Sequence, residues 1–394
     1  MRILLTGIPN DTLQNMETID PSFSLPLAIK PLACDKKELL LKTKRISNTG
    51  NYLIGEGSLH ALRENEVTYI EPWRIKHLIK NPEFIDYARS HFDYISIATA
   101  NMIRSDYTPT IELGLLKAVD LPVILLGVGI QRRGDLDKSI PPETIEFIEE
   151  IAKREHTVFT RGADSEQFLR DRGLKNVVAT GCPSIYLSPE NIRSSLVRLK
   201  ELDIRTCTSI SLNGYLGKDM SVITDVNSLA TSTQSTFHYA CQDEFLHYGL
   251  ELRSEDCCYD PIYNKITGDV SYKGKDLLNA PLPLHLFHST SNWRIWNSSK
   301  SLSLGYRFHG NLIAMQTATP SVIISVDDRM REMLAASGLP YIEMNEWYAQ
   351  KDKAMALENF ISSLNTAKIL ESYDLANEKF ISAMVSAGIQ SRLQ

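Results

Sequence analysis

The chain has 394 residues, of which 43% are hydrophobic and 23% charged, and its formal net charge is −6. That length exceeds one ordinary core and predicts two domains. The acidic balance excludes a nucleic-acid backbone as main partner, so any anion site must be a local cluster of cations.

At the N-terminus, MRILLTGIPNDTLQ has only a short apolar run and no small-residue cleavage site, which argues against a signal peptide. Its RILLTGI is a candidate first strand. NTGNYLIGEGSLHALREN, containing Asn51, is a Gly-punctuated loop running into a helix. Short strands follow in EVTYIEPW, DYISIATA, LPVILLGVGI, TVFTRG and NVVATG. Between them, PPETIEFIEEIAKRE opens with Pro and acids and ends basic, as a helix dipole favours. DSEQFLRDRGLKN predicts a helix capped by Asp164 and stopped at Gly173. Strands alternating with helices mean βαβ units and a mostly parallel sheet.

SPENIRSSLVRLKELDIRTC reads as the joint between halves. A second α/β series runs through TCTSISLNG, TFHYACQ, SLSLGYRFHGNLIAMQTATPSVIISVDDRMREML and LPYIEM. From Asp256 to Pro283 the sequence is rich in Tyr, Lys, Gly and Asp without helical period, and reads as a hairpin or loop. The tail from Lys353 reads as helical throughout. The architecture expected is α/β, with two Rossmann-like domains facing across a cleft. No apolar run approaches the ~20 residues that span a bilayer. The cysteines (Cys34, Cys182, Cys207, Cys241, Cys257, Cys258) lack C-x-x-C spacing, which predicts reduced thiols in a cytoplasmic protein and no structural zinc.

In open parallel sheets, ligands bind beyond the carboxyl ends of strands, where helix N-termini point. SLSLGYR ends at such an edge and HGNLIAMQTA opens the helix behind it. Gly310 there admits close backbone approach, and the first free amides favour negative charge. Arg307 adds a fork of donors suited to carboxylate or phosphate, and His309 a group that titrates near neutrality. The helix dipole predicts a lowered His309 pKa. The alternative is a salt-bridged Arg307 and a capping His309. A second edge lies in TVFTRGADSEQFL, where Arg161 follows the strand; its alternative is an ion pair with Asp164 or Glu166. At the third edge Asp327 and Asp328 read as N-cap and first-turn residues ahead of Arg329. LLGVGIQRRGD places Gly127 and Gly129 at a strand end, but lacks the third glycine of a dinucleotide fingerprint; Gln131 to Asp135 read as an exposed rim. P-loop, zincin and α/β-hydrolase motifs are absent. His285 and His288 have metal-ligand spacing, yet no acid or Cys nearby completes a site.

In order, NTGNYLIGEGSLHAL, GVGIQ, TRGADSEQFLRDRGLKNVVATGCPS and YRFHGNLIAMQTATPSVIISVDDRM resemble the polysaccharide pyruvyltransferase family, over most of residues 45–345. The resemblance implies a GT-B-like pair of domains with the donor site in the cleft, at 1–195 (acceptor side) and 203–370 (donor side). Residues 371–394 would form a helix returning to the N-terminal domain. It implies transfer of the enolpyruvyl group of phosphoenolpyruvate onto two sugar hydroxyls as a cyclic ketal. The partners are then that donor and a sugar or glycan acceptor, with no metal or redox cofactor and with peripheral membrane contact left open. Arg161 and Arg307 match the family's donor-binding arginines and His309 its essential histidine; Gly129, Asn51, Gly310 and Arg329 fall in the same blocks. The chain departs from the pattern at Asn51 and Cys182, where an Asp is usual, at Phe308, at Ala318–Thr319, and at Arg329 in place of Lys. Two other functions share these features: a GT-B glycosyltransferase using a sugar nucleotide, and a non-catalytic glycan-binding member.

Overall fold

The computed structural model describes residues 1–8, 48–131, 140–214, 221–242, 282–287 and 289–389. Arg132, Arg133, His288, Cys34, Cys257, Cys258 and nearly all of the segment from Asp256 to Pro283 lie outside them.

The first half runs β1 (Arg2–Gly7), α1 (Tyr52–Leu62), β2 (Glu66–Tyr69), α2 (Pro72–Leu78), α3 (Pro82–His91), β3 (Tyr94–Ala98) and α4 (Thr110–Ala118). It continues with β4 (Val123–Val128), α5 (Pro142–Ala152), β5 (His156–Thr160), α6 (Ala163–Arg170) and β6 (Val177–Ala179). These six strands form one parallel sheet in the order β2-β1-β3-β4-β5-β6. Every residue of β4 is buried, as the unbroken apolar run VILLGV requires of a strand covered on both faces.

Helix α7 (Pro189–Lys200) leads into β7 (Ser209–Asn213), α8 (Ser221–Ala230), β8 (Thr236–Cys241), β9 (Leu284–Leu286), α9 (Thr290–Ser298), β10 (Leu302–Gly305) and α10 (Phe308–Met315). Then come β11 (Ser321–Ser325), α11 (Asp328–Ser337), β12 (Tyr341–Glu343), α12 (Met344–Ala349), α13 (Lys353–Ser363) and α14 (Thr366–Ser386). The second sheet is also parallel, in the order β12-β11-β10-β7-β8-β9. Counted from its own first strand this is 3-2-1-4-5-6, the Rossmann order. The protein is thus an α/β chain with two Rossmann-like sheets.

The two halves share apolar packing. One cluster joins Ile3, Leu5, Ile124 and Phe159 of the first sheet to Leu312, Met315, Met333 and Leu334 of α10 and α11. The C-terminal helix α14 lies on that same face. The Phe380 ring stacks on Tyr186 with centroids 4.4 Å apart, and the Tyr373 hydroxyl donates to the Ile185 carbonyl at 3.0 Å. Across the halves, Arg294 of α9 holds Glu56 of α1 through two bonds of 2.9 Å.

Three expectations need correction. The tail is not helical throughout: Leu364 turns extended between two helices, and Asn365 caps α14 by accepting from the Lys368 amide at 3.1 Å. Asn at an N-cap satisfies an amide that the preceding helix could not. Second, α6 starts a residue before Asp164, and its N-cap is Gly162, which has no side chain to offer. Third, Gln131 is buried and is no rim residue. The sequence pattern does not single out helices α2, α3, α4, α8, α9 and α12 or strand β9.

Candidate active site

In each sheet the chain reverses its direction of winding at one place, and there the loops splay apart to leave a crevice. In the first sheet that place lies between β1 and β3, in the second between β7 and β10. Each crevice begins at a glycine pressed against the neighbouring strand. Gly7 has φ +96°, and a Cβ there would stand 2.2 Å from the Ala98 carbonyl oxygen; Gly305 has φ +148°, with the Asn213 carbonyl oxygen 2.0 Å away. Both the conformation and the space require glycine. The two crevices open into one cavity of about 1280 Å³, lined from one side by Gly7, Ala98 and Asn101, and from the other by Tyr306, Arg307 and His309.

Of the residues expected at a site, Arg161, Arg307, His309, Asn51 and Arg329 line this cavity. Arg161 follows β5 and is 6% exposed; Arg307, the N-cap of α10, is 5% exposed. Arg161 is braced from behind: Nε donates to the Gly127 carbonyl at 3.1 Å and Nη1 to Asn101 Oδ1 at 3.0 Å. Its Nη2 is buried and has no hydrogen-bond partner among the described residues. No ion pair with Glu166 holds it, since that carboxylate pairs with Arg170 at 2.9 Å. Buried donors are nearly always satisfied, so an orphan guanidinium nitrogen on a cavity wall is suited to an anionic ligand.

His309 stands in the first turn of α10. Its Nε2 lies 3.5 Å from Cys182 Sγ, which in turn accepts from the Ser184 hydroxyl at 3.0 Å. Its pKa is pushed down to about 3, first by burial and then by the positive charge of Arg161. The direction agrees with the sequence expectation, and desolvation comes first, followed by a neighbouring guanidinium that the sequence does not point to. With no ligand, the imidazole is therefore neutral at ordinary pH.

Asn51 closes a 3₁₀ turn, Thr49–Asn51, whose Asn48 side chain accepts from the Gly50 amide at 2.9 Å. The turn docks on the opposite half, with the Thr49 amide donating to the Gln242 carbonyl at 3.3 Å. Arg329 Nη1 donates to Gln131 Oε1 at 3.1 Å and Nε to Asp327 Oδ2 at 2.9 Å. Gly129 and Gly310 serve the site differently from the expectation. A Cβ at Gly129 would stand 2.9 Å from Arg161 Cδ, and one at Gly310 2.1 Å from Asn213 Oδ1. Both glycines make room for protein side chains, and neither lines the cavity.

Some contributors had no signal in the local sequence. Asn101 orients Arg161 from a loop 60 residues away. Glu332 of α11 reaches across the halves to the bare start of α6, accepting from the Ser165 amide at 2.6 Å and from its hydroxyl at 3.1 Å. A cap supplied from a distant helix cannot be read from the helix it caps. Among the described residues no group of His, Cys, Asp and Glu is arranged to hold a metal ion. The pair His238 and His285, 3.1 Å apart between ring nitrogens, has no third ligand among them.

Compared with known families, residues 48–328 match the model of the polysaccharide pyruvyl transferases. The chain belongs to that family. It is accordingly a transferase, a pyruvyltransferase acting on polysaccharides, and Arg161, Arg307 and His309 of the cavity lie within the matched span. No curated protein sequence matches it significantly. Solved structures resemble it in outline. A proposed UDP-N-acetylglucosamine 2-epimerase from Listeria monocytogenes is 9% identical, covers 99% of this chain and 96% of its own, and gives a TM-score of 0.49. A UDP-GlcNAc 2-epimerase from Neisseria meningitidis bound to UDP-GlcNAc is 12% identical, with 100% and 96% covered and a TM-score of 0.40. A functionally uncharacterized protein from Klebsiella pneumoniae is 14% identical, with 78% and 97% covered and a TM-score of 0.38. Likenesses this distant carry no argument about what the pyruvyltransferase binds. Among the described residues no helix is long and apolar enough to cross a membrane.

Proposed function

We propose that the protein transfers the enolpyruvyl group of phosphoenolpyruvate onto two hydroxyls of one sugar in a polysaccharide or its precursor, forming a cyclic ketal and releasing phosphate. The observation that carries this reading is the pair of buried arginines, Arg161 and Arg307, brought from the carboxyl edges of two different sheets to one cavity. Phosphoenolpyruvate has two anionic ends, a carboxylate and a phosphate, and two fixed guanidinium forks suit them.

In the reaction a proton adds to the methylene carbon, leaving positive charge at C2 of the donor. A sugar hydroxyl attacks C2 and loses its proton; the C2–O bond to phosphate breaks; the second hydroxyl attacks C2, loses its proton and closes the ring. Of Arg161 and Arg307, the one that holds the phosphate stabilises it as it departs, while the other holds the carboxylate. His309 is neutral in the empty cavity. The arriving phosphate dianion reverses the balance of charge around it, so donor binding draws a proton onto the ring. That proton serves either the methylene carbon or the leaving phosphate, and general acid help of this kind is worth ~10²–10⁴-fold. Asn51 and Arg329 line the same cavity and serve as further ligand contacts. A cytoplasmic place of action goes with this donor and is supported by Cys182, Cys207 and Cys241, all buried as free thiols.

The test is phosphate release from phosphoenolpyruvate with a panel of sugar acceptors. Release that requires both substrates, and that His309→Ala reduces by orders of magnitude while donor affinity persists, supports the assignment. Near-normal turnover in His309→Gln would exclude acid catalysis by this residue, and binding of UDP-sugars without any phosphate release would sink the reading.

A further inference from the structure

A proton that His309 delivers must leave from one of its two ring nitrogens, and their surroundings differ. Nε2 is directed at Cys182 Sγ, 3.5 Å away. Cys182 is wholly buried and forms no part of the cavity wall, whereas His309 does. Nδ1, across the five-membered ring, is the nitrogen left for a ligand.

The sulfur is held in place from several sides. Cys182 is the N-cap of the 3₁₀ turn Pro183–Tyr186. Helix α1 lies so close on this turn that a Cβ at Gly57 would stand 2.5 Å from the Pro183 carbonyl carbon. The Ser184 carbonyl accepts from Gln316 Nε2 at 2.9 Å, and Gln316 closes the same helix α10 whose first turn carries His309. The Ile185 carbonyl accepts from the Tyr373 hydroxyl at 3.0 Å. Thiol and imidazole therefore face each other before any ligand arrives, although they come from different halves.

The direction of the contact follows from the third member of the cluster. The Ser184 hydroxyl, also fully buried, donates to Cys182 Sγ at 3.0 Å. With that acceptor position filled, the thiol's own hydrogen has Nε2 as its acceptor, and an imidazole nitrogen accepts far better than sulfur does. A neutral ring whose Nε2 accepts carries its hydrogen on Nδ1. The other tautomer would turn a bare lone pair toward an anion drawn in by Arg161 and Arg307.

We infer that Cys182 is a positioning residue: its S–H, directed by Ser184, donates to His309 Nε2 and so presents Nδ1–H to the ligand. When donor binding brings a second hydrogen onto the ring, that hydrogen sits on Nε2 and Sγ changes from donor to acceptor. The contact thus persists in both protonation states. The inference rests on the pyruvyltransferase reading for the identity of the ligand, while the tautomer is a property of the empty protein.

The test is long-range nitrogen–proton NMR on protein labelled in its histidine ring nitrogens, at neutral pH without ligand. The His309 signals are assigned by their loss in His309→Gln. The expected wild-type spectrum shows Nδ1 protonated and Nε2 bare. Cys182→Ser keeps a donor and should keep this tautomer. Cys182→Ala removes the donor and should move the ring toward the Nε2–H form that free histidine favours. Cys182→Asp offers only an acceptor and should place hydrogen on Nε2. With both substrates, Cys182→Ala should lose turnover severalfold and Cys182→Ser recover most of it. An Nε2–H ring in the wild type would overturn the proposal, and this spectrum decides even if a variant fails to fold. The same tautomer in wild type, Cys182→Ala and Cys182→Asp would overturn it too. An Nδ1–H ring in a protein that ignores phosphoenolpyruvate would sink the donor reading and support this assignment.

Discussion

Replacing His309 by Gln should change how stability depends on pH, and the structure fixes both sign and size. The folded-state pKa of His309 is pushed down to about 3 by burial and by Arg161. The unfolded chain holds this imidazole at an ordinary pKa of ~6.5. Between those two values the unfolded state binds a proton that the native state does not, so native stability falls as pH is lowered through that window and is unaffected above it. Going from about pH 7.5 to about pH 5.5, this one residue removes about 1.4 kcal/mol of stability in the linkage relation. His60 and His285, whose pKa values are also lowered by burial to about 4, act in the same direction in both proteins and cancel in the comparison. Urea denaturation of wild type and His309→Gln at the two pH values gives the difference directly. The wild type should lose about 1.4 kcal/mol more than the variant on acidification. Equal losses would mean that His309 is not held neutral by its surroundings, and the proton-uptake step at donor binding would lose its basis.

Three further outcomes follow from the packing. Glu332→Ala leaves the start of α6 without its cross-half cap and should lower stability by about 0.5–2 kcal/mol, with Glu332→Gln recovering part; denaturant midpoints decide this. Gly310→Ala sets a Cβ 2.1 Å from Asn213 Oδ1. It should destabilise by about 1–3 kcal/mol and weaken donor binding by shifting Arg307 and His309, read by denaturation and calorimetry. A double-mutant cycle on Glu56 and Arg294, joined by two bonds of 2.9 Å, should give a coupling energy. About 1 kcal/mol that shrinks in high salt is the expected value, and zero coupling would show that the pair does not help join the halves.

The sequence reveals the strands of both sheets except the short β9, because their apolar runs are bounded by Gly, Pro and polar turns, and because buried parallel strands need unbroken apolar residues. It also reveals the edges, since Arg161 and Arg307 directly follow strands and precede helices. Three kinds of feature are not legible there. Short helices opened by Pro, such as Pro72–Leu78 and Pro82–His91, are too brief to show a period. Partners far apart in the chain, such as Glu332 with Ser165 and Asn101 with Arg161, depend on how the halves meet. Gly310 reads as a ligand-facing glycine in the sequence, whereas in the fold its missing side chain is filled by Asn213 and Gln242. The causes of the His309 pKa shift belong to the same class, because its burial depends on how the halves meet and Arg161 comes from the other sheet.

The most direct test of the central claim is a calorimetric titration of phosphoenolpyruvate into the wild type, Arg161→Ala and Arg307→Ala. Each arginine contributes charge-assisted bonds worth ~1.5–3 kcal/mol, so each variant should bind about tenfold or more weakly while melting as the wild type does. Unchanged affinity in both variants, or no binding by the wild type, would contradict the account.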